Sequence, residues 1–181
     1  MTSVPEAAAA DIDACPKETT EKDTSPGIVE GDEWVIHLLF DPENSIDGEY
    51  HPGKLGVKRL KKHQFSVARP RHSSSDRIRS FIITPKEDGG EYKYVGAIVA
   101  QVQAIRDLCD DDENRLVCAY DDPDGDFTEH GLLGFSDHTR PPYWQKNDAA
   151  AALGNLSLIF EESGVGLELP ECFDLCGEQD G

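Results

Sequence analysis

The sequence predicts an α+β domain: a mostly antiparallel sheet with about two helices packed on it, preceded by a disordered acidic tail. Three observations lead there. Short β-rich segments alternate with Pro, Gly, Asn and Asp clusters between residues 33 and 135. Two later stretches carry apolar side chains at helical spacing. Finally, 181 residues suit one domain with room for tails. The expected layout is a tail over 1–31, a single domain over 32–163, and an acidic C-terminal tail over 164–181.

"EWVIHLLF" (33–40) is mostly apolar and β-rich, so it is expected as a central strand. "DPENSIDGEYHPG" (41–53) has loop composition. "QFSVAR" (64–69) and "RIRSFIIT" (77–84) alternate as strands do, and "PKEDGGE" (85–91) joins the second to "YKYVGA" (92–97) in a hairpin. Ile98, Val102, Ile105 and Leu108 then form one helical stripe, which ends at the acids of "CDDDEN". "RLVCAY" (115–120) and "FTEHGLLGF" (127–135) are paired strands. Asn147 or Asp148 caps a helix to about Glu162, with Ala149, Ala152, Leu153, Leu156, Ile159 and Phe160 inward. Gly154 within it suggests a close approach of helix and sheet. Leu167, Leu169, Phe173 and Leu175 are expected to pack loosely on the core.

Charge is uneven. Residues 1–33 carry net −7, 34–106 net +4 and 107–181 net −16, giving −19 in all. That total disfavours binding of the whole chain to nucleic acid or an anionic membrane, and no apolar run approaches a bilayer's thickness. The first residues lack the basic flank and apolar run of a signal peptide. The tail's composition is too poor in apolar side chains to offset its ordering entropy. Five cysteines without two-residue spacing suggest reduced thiols and a cytoplasmic protein. Cys109 and Cys118 read as small core hydrophobes. Cys172 and Cys176 alone make no zinc site.

"DDPDGDFTEH" (121–130) gathers five acids and a histidine. Asp122-Pro123-Asp124-Gly125 is a turn signal, with proline setting φ and glycine accepting positive φ. As a calcium loop it fails: Gly125 at position six puts Tyr120 at position one, and Asp122 at one puts Phe127 at six. Asp122, Asp124 and Asp126 are the oxygen ligands a loosely held cation would use, but no metal is expected. His130 is read first as a half-buried ring bonded to a backbone carbonyl, and otherwise as a site residue with Asp137, His138 or Glu129. Glu129 lies on the other face of a strand.

The order "HP" (51–52), "KKHQFSVAR" (61–69), "GAIVAQVQAIRDL" (96–108) and "DDPDGDFTEHGLLGF" (121–135) resembles a loose group of small uncharacterised bacterial proteins. The resemblance draws attention to His51 and His130 and implies no reaction.

Residues 54–79 hold nine Lys/Arg, two His and a single acid, Asp76. Lys58, Arg59, Lys61, Lys62, Arg69 and Arg71 are the candidate partner-binding residues. A face paired with the protein's own acids, a surface for an acidic protein, and a phosphate contact with Tyr50 or Phe65 stacking on bases are the three readings. No nucleophile elbow, phosphate loop, dinucleotide fingerprint or zinc helix is present, so no cofactor is expected. Asp76, Glu91 and Lys93 resemble the Asp…Glu-Xaa-Lys pattern of metal-dependent nucleases, with His130 as a further candidate. The leading expectation is a non-enzymatic protein that binds another protein, in an accessory, inhibitor or immunity-type role. A phosphodiesterase or nuclease and nucleic-acid contact through 54–79 are the alternatives.

Overall fold

The computed structural model describes residues 14–18, 20, 22–41, 43–47, 49–51, 55, 57–83, 93–137, 146–163 and 165–176. Glu91, His138 and residues 1–13 fall outside them. The fold is α+β. Six strands form one antiparallel sheet in the order β6-β7-β4-β1-β5-β8. They are β1 (Trp34–Asp41), β4 (Phe65–Ala68), β5 (Lys93–Gln101), β6 (Val117–Asp121), β7 (His130–Phe135) and β8 (Val165–Leu167). β2 (Ser45–Ile46) and β3 (Glu49–Tyr50) make a small separate hairpin inside the expected long loop.

Period-two alternation divides the core between the two sheet faces. On the first face, Val35, Leu39, Phe65, Val67, Ile98 and Ala100 pack under α1 (Val57–Lys61), α3 (Val102–Arg106) and α4 (Lys146–Ser163). On the second, Ile36, Ala68, Ala97 and Val99 pack under α2 (Ser75–Ile83) and α5 (Leu169–Cys176). Ala152, Leu156 and Phe160 of α4 are buried as its spacing requires. Gly154, however, is exposed with nothing near its Cα face, so it marks no close approach.

Several elements differ from the sequence reading. Residues 75–83 form α2, and the expected 77–97 hairpin is absent. The Ser74 hydroxyl accepts the Arg77 N–H at 3.2 Å, a local start signal, and Ile78 anchors the helix in the core. Ile98 belongs to β5, whose run Gly96–Ala100 is buried on both faces; with no solvent side, alternation disappears and the run mimics a helical stripe. Only 102–106 of that expected helix is helical.

The N-terminal tail also departs from expectation. From Ala14 onward the N-terminal segment is part of the fold: Ala14, Cys15, Glu18 and Val29 are buried. Cys15 forms a disulfide with Cys118 across 103 residues, which overturns the reading of Cys118 as a thiol. Glu18 accepts the Ala119 N–H at 2.7 Å and pairs with Arg115 at 2.8 Å and Arg106 at 3.3 Å. β6 is an outer strand, and this carboxylate occupies a donor that an open edge would present. Cys109 is exposed, not a core hydrophobe. The C-terminal segment packs on the core as expected, through Leu167, Leu169 and Phe173, and adds a strand: β8 pairs with β5, and Leu169 and Cys172 are buried. No helix among the described residues is long and apolar enough to cross a membrane.

Candidate functional site, a cleft where the sheet splits

β1 and β4 pair only at Ile36 and Ala68. Beyond that pair the strands part, and side chains complete the hydrogen bonding the ladder leaves open. The His37 ring donates from Nδ1 to the Ser66 carbonyl at 2.7 Å. Asn44 serves Phe40 in the same way: its side-chain oxygen accepts the Phe40 N–H at 3.1 Å, and its own N–H donates to the Phe40 carbonyl at 2.7 Å. Over the gap lies a cleft of about 150 Å³. Its apolar wall is Ile36, Leu38, Phe40, Val67, Ala68 and Phe127; its polar groups are His37, His130, Ser66, Asn44, Glu43 and Arg59.

Both histidines are held by one nitrogen. Since a carbonyl only accepts, His37 must carry its proton on Nδ1. His37 is 4% exposed and stacks on Phe65 with ring centroids 4.0 Å apart. Its Nε2 has no hydrogen-bond partner among the described residues. Burial, opposed by the Ser66 bond and reinforced by the Arg59 charge, pushes its pKa down to about 4. The ring is therefore neutral at pH 7, with Nε2 a bare acceptor. His130 donates from Nδ1 to the Asp122 carbonyl, so its Nε2 is also an acceptor in the neutral ring. This is the carbonyl-bonded arrangement expected for it.

A pH dependence follows. A histidine kept neutral by folding binds fewer protons than in the unfolded chain, so its contribution to stability is complete above the free-imidazole value of 6.5 and lost as pH falls towards about 4. His72 acts in the same direction, its pKa lowered by burial and by the Arg69 charge. Urea unfolding measured from pH 7 down to 4 should show a loss on the order of 2–3 kcal/mol from His37. A shallower fall in His37→Phe than in the wild type is the expected contrast, the remainder coming from His72 and the carboxylates; parallel profiles would refute the assignment.

The acidic stretch is a turn, as its sequence says. The Asp124 N–H donates to the Phe127 carbonyl at 3.0 Å and the Phe127 N–H to the Asp124 carbonyl at 2.8 Å, and Gly125 takes φ +56°. Asp122 pairs with Lys22. Asp122, Asp124 and Asp126 form no converging ligand group among the described residues. The group that does converge is Cys15, Glu18 and Cys118, whose sulfurs are bonded to each other and whose carboxylate is taken by arginines.

Of the nuclease-like residues, Glu91 lies outside the described residues, and Asp76 and Lys93 stand on different elements, α2 and β5. Asp76 lies in the first turn of α2, where its neighbour Arg77 bonds the Asp126 carbonyl. Lys93 opens β5 opposite Asp41.

The basic candidates divide. Lys58, Lys61 and Lys62 are exposed on or just after α1. Arg59 on the same helix pairs with Glu43 and reaches the cleft. Arg71 pairs with Asp32 at 2.9 Å on the surface. Arg69 is no surface residue: it is 1% exposed and spends all five N–H groups inside, on Glu33, Asp121 and the carbonyls of Gly27 and Ile28. Phe65 is fully buried and cannot stack on a base.

Sequence reasoning missed His37 and the cleft altogether. A histidine amid the apolar run "WVIHLLF" was the available signal, because a buried imidazole needs a partner. No family model matches the chain, and neither a curated protein nor a solved structure matches it.

Proposed function

We propose that this chain is a non-enzymatic binding protein that receives an acidic segment of another protein on α1, with one partner side chain seated in the adjoining cleft. The observation that supports it is Arg59, which belongs to both places: it sits between Lys58 and Leu60 on the basic helix and lines the cleft. Lys62 follows α1 directly and is exposed, as Lys58 is. In a chain of net −19, this local reversal of sign favours acidic over basic partners and steers their approach. His130, which lines the cleft on the face of Ala68, is held by the Asp122 carbonyl. The Cys15–Cys118 disulfide favours oxidising surroundings for this binding over the reducing cytoplasm that the cysteine spacing suggested.

Fluorescence anisotropy with a labelled glutamate-rich peptide containing one aromatic residue tests the proposal. The wild type should bind with an affinity that falls as salt rises. Lys58→Glu with Lys62→Glu, two exposed positions whose change leaves the fold intact, should weaken binding at least tenfold. Equal binding by the double variant, or none by the wild type, would overturn it.

A further inference from the structure

β6 is an outer strand, yet all five of its residues are buried, and the segment from Ala14 to Glu18 is bonded to its Cys118 and Ala119. Three donors meet there on the Glu18 carboxylate: the Ala119 N–H at 2.7 Å, Arg115 at 2.8 Å and Arg106 at 3.3 Å. Ala119 lies in β6, Arg115 just before it, and Arg106 ends α3. All three donors therefore belong to the domain, and only the carboxylate comes from the N-terminal segment. Two guanidinium groups and a strand-edge N–H converging in this way make a receptor for a carboxylate. We infer that Glu18 is a tethered occupant of this receptor, and that reduction of the Cys15–Cys118 disulfide opens it to a glutamate side chain on an extended segment of another protein. The site shares no residue with α1 or the cleft and does not rest on the role proposed for them.

The reductant is a dithiol. One of its thiolates attacks a sulfur of the bond and its second thiolate resolves the mixed disulfide. The dithiol gives up two electrons and two protons and becomes a disulfide, and Cys15 and Cys118 become thiols. Both cysteines are fully buried, so the attack follows a local opening of the segment. With the bond intact, the tether keeps Glu18 at a local concentration that an outside carboxylate does not match. With the bond cut, that advantage falls. Beyond Glu18 the segment is fastened again, by Lys22 on Asp122 and by Arg69 on the Gly27 and Ile28 carbonyls, so it stays attached to the domain when its end lifts away. An incoming glutamate restores the three bonds that Glu18 gives up; a glutamine brings no charge to the two arginines.

The probe is a labelled peptide copying the sequence of residues 14–20, capped at both ends and with serine for cysteine, beside a counterpart with glutamine for its glutamate. Both are titrated against the full chain by fluorescence anisotropy. The oxidised wild type should bind neither. Cys15→Ser with Cys118→Ser, the open form without added reductant, should bind the glutamate peptide at least tenfold more tightly than the glutamine peptide. Adding Glu18→Gln removes the tethered competitor and should tighten binding of the glutamate peptide at least tenfold again. Adding Arg115→Met instead should abolish the preference for glutamate. Lys58→Glu with Lys62→Glu should leave that preference unchanged. Hydrogen exchange gives a second readout: in the double-serine chain the Ala119 amide should exchange faster, while Val99 and Ala100 in β5 keep their protection. A Glu18 that only braces the fold would give a less stable Glu18→Gln chain with no gain in peptide affinity, and that result would overturn the inference. So would equal binding by the oxidised and double-serine chains, no binding by the latter, or loss of protection in β5 together with Ala119.

Discussion

Replacing Arg69 by alanine should lower the unfolding free energy by about 3–5 kcal/mol. Its guanidinium is the only cation among the described residues within bonding distance of both Glu33 and Asp121, which are 1% and 4% exposed. It meets Glu33 through two parallel bonds of 3.0 and 2.7 Å and Asp121 through one of 3.1 Å. Two further bonds, 2.7 Å to the Gly27 carbonyl and 3.1 Å to that of Ile28, fasten the N-terminal segment against β4. Removing the side chain strands two carboxylates out of water, takes the guanidinium from the Ile28 carbonyl and leaves the Gly27 carbonyl with the Ser25 hydroxyl. Burial works against the charge on Glu33, yet the Arg69 bonds keep its pKa below the ordinary carboxylate value. Glu33 therefore contributes stability above that value that is lost as pH falls, and the variant should lose this part of its acid sensitivity. Arg69→Lys should recover little, since a point charge cannot reproduce the fork. Arg71→Ala, two residues away, breaks an exposed pair with Asp32 and should cost under about 1 kcal/mol. Urea midpoints at constant m-value provide the check; similar losses at 69 and 71 would refute the distinction. Domains of this size are stable by only about 5–15 kcal/mol, so the Arg69 loss is a large part of the whole.

Reduction of the Cys15–Cys118 disulfide should cost about 2–5 kcal/mol. The bond closes a loop of 103 residues, and the chain-entropy treatment gives roughly 4–5 kcal/mol for such a loop. Reduction also loosens the segment that carries Glu18, whose carboxylate holds Arg115, Arg106 and the edge N–H of Ala119. Cys15→Ser with Cys118→Ser should reproduce the loss, while reductant should then have no further effect on the variant. Increased proteolysis near residues 14–22 should accompany it. Unfolding midpoints indifferent to reductant in the wild type would refute the prediction.

Some of the fold was legible because its causes are local. β1, β4, β6 and β7 show β-rich composition with turn residues between them. The Asp-Pro-Asp-Gly turn declares itself through φ preferences confined to four residues. α4 shows its stripe because one side faces the core and the other water. α2 and β5 were read wrongly for opposite reasons. α2 has β-favouring residues in too short a run for period to decide, and its start rests on one serine. β5 is covered on both faces, so it lacks the polar alternation by which strands are recognised.

The sequence by itself determined the class of fold, the central place of β1, the acidic turn and the basic character of 54–79, since each rests on neighbours a few residues apart. Tertiary structure alone decided that Arg69 is buried while Lys58 and Lys62 are exposed, that Cys15 meets Cys118, and that β1 and β4 part to leave a cleft beside His37. Those outcomes join groups 29 to 103 residues apart. Charge and composition do not encode which distant groups meet; packing and the requirement that buried polar atoms be paired select them.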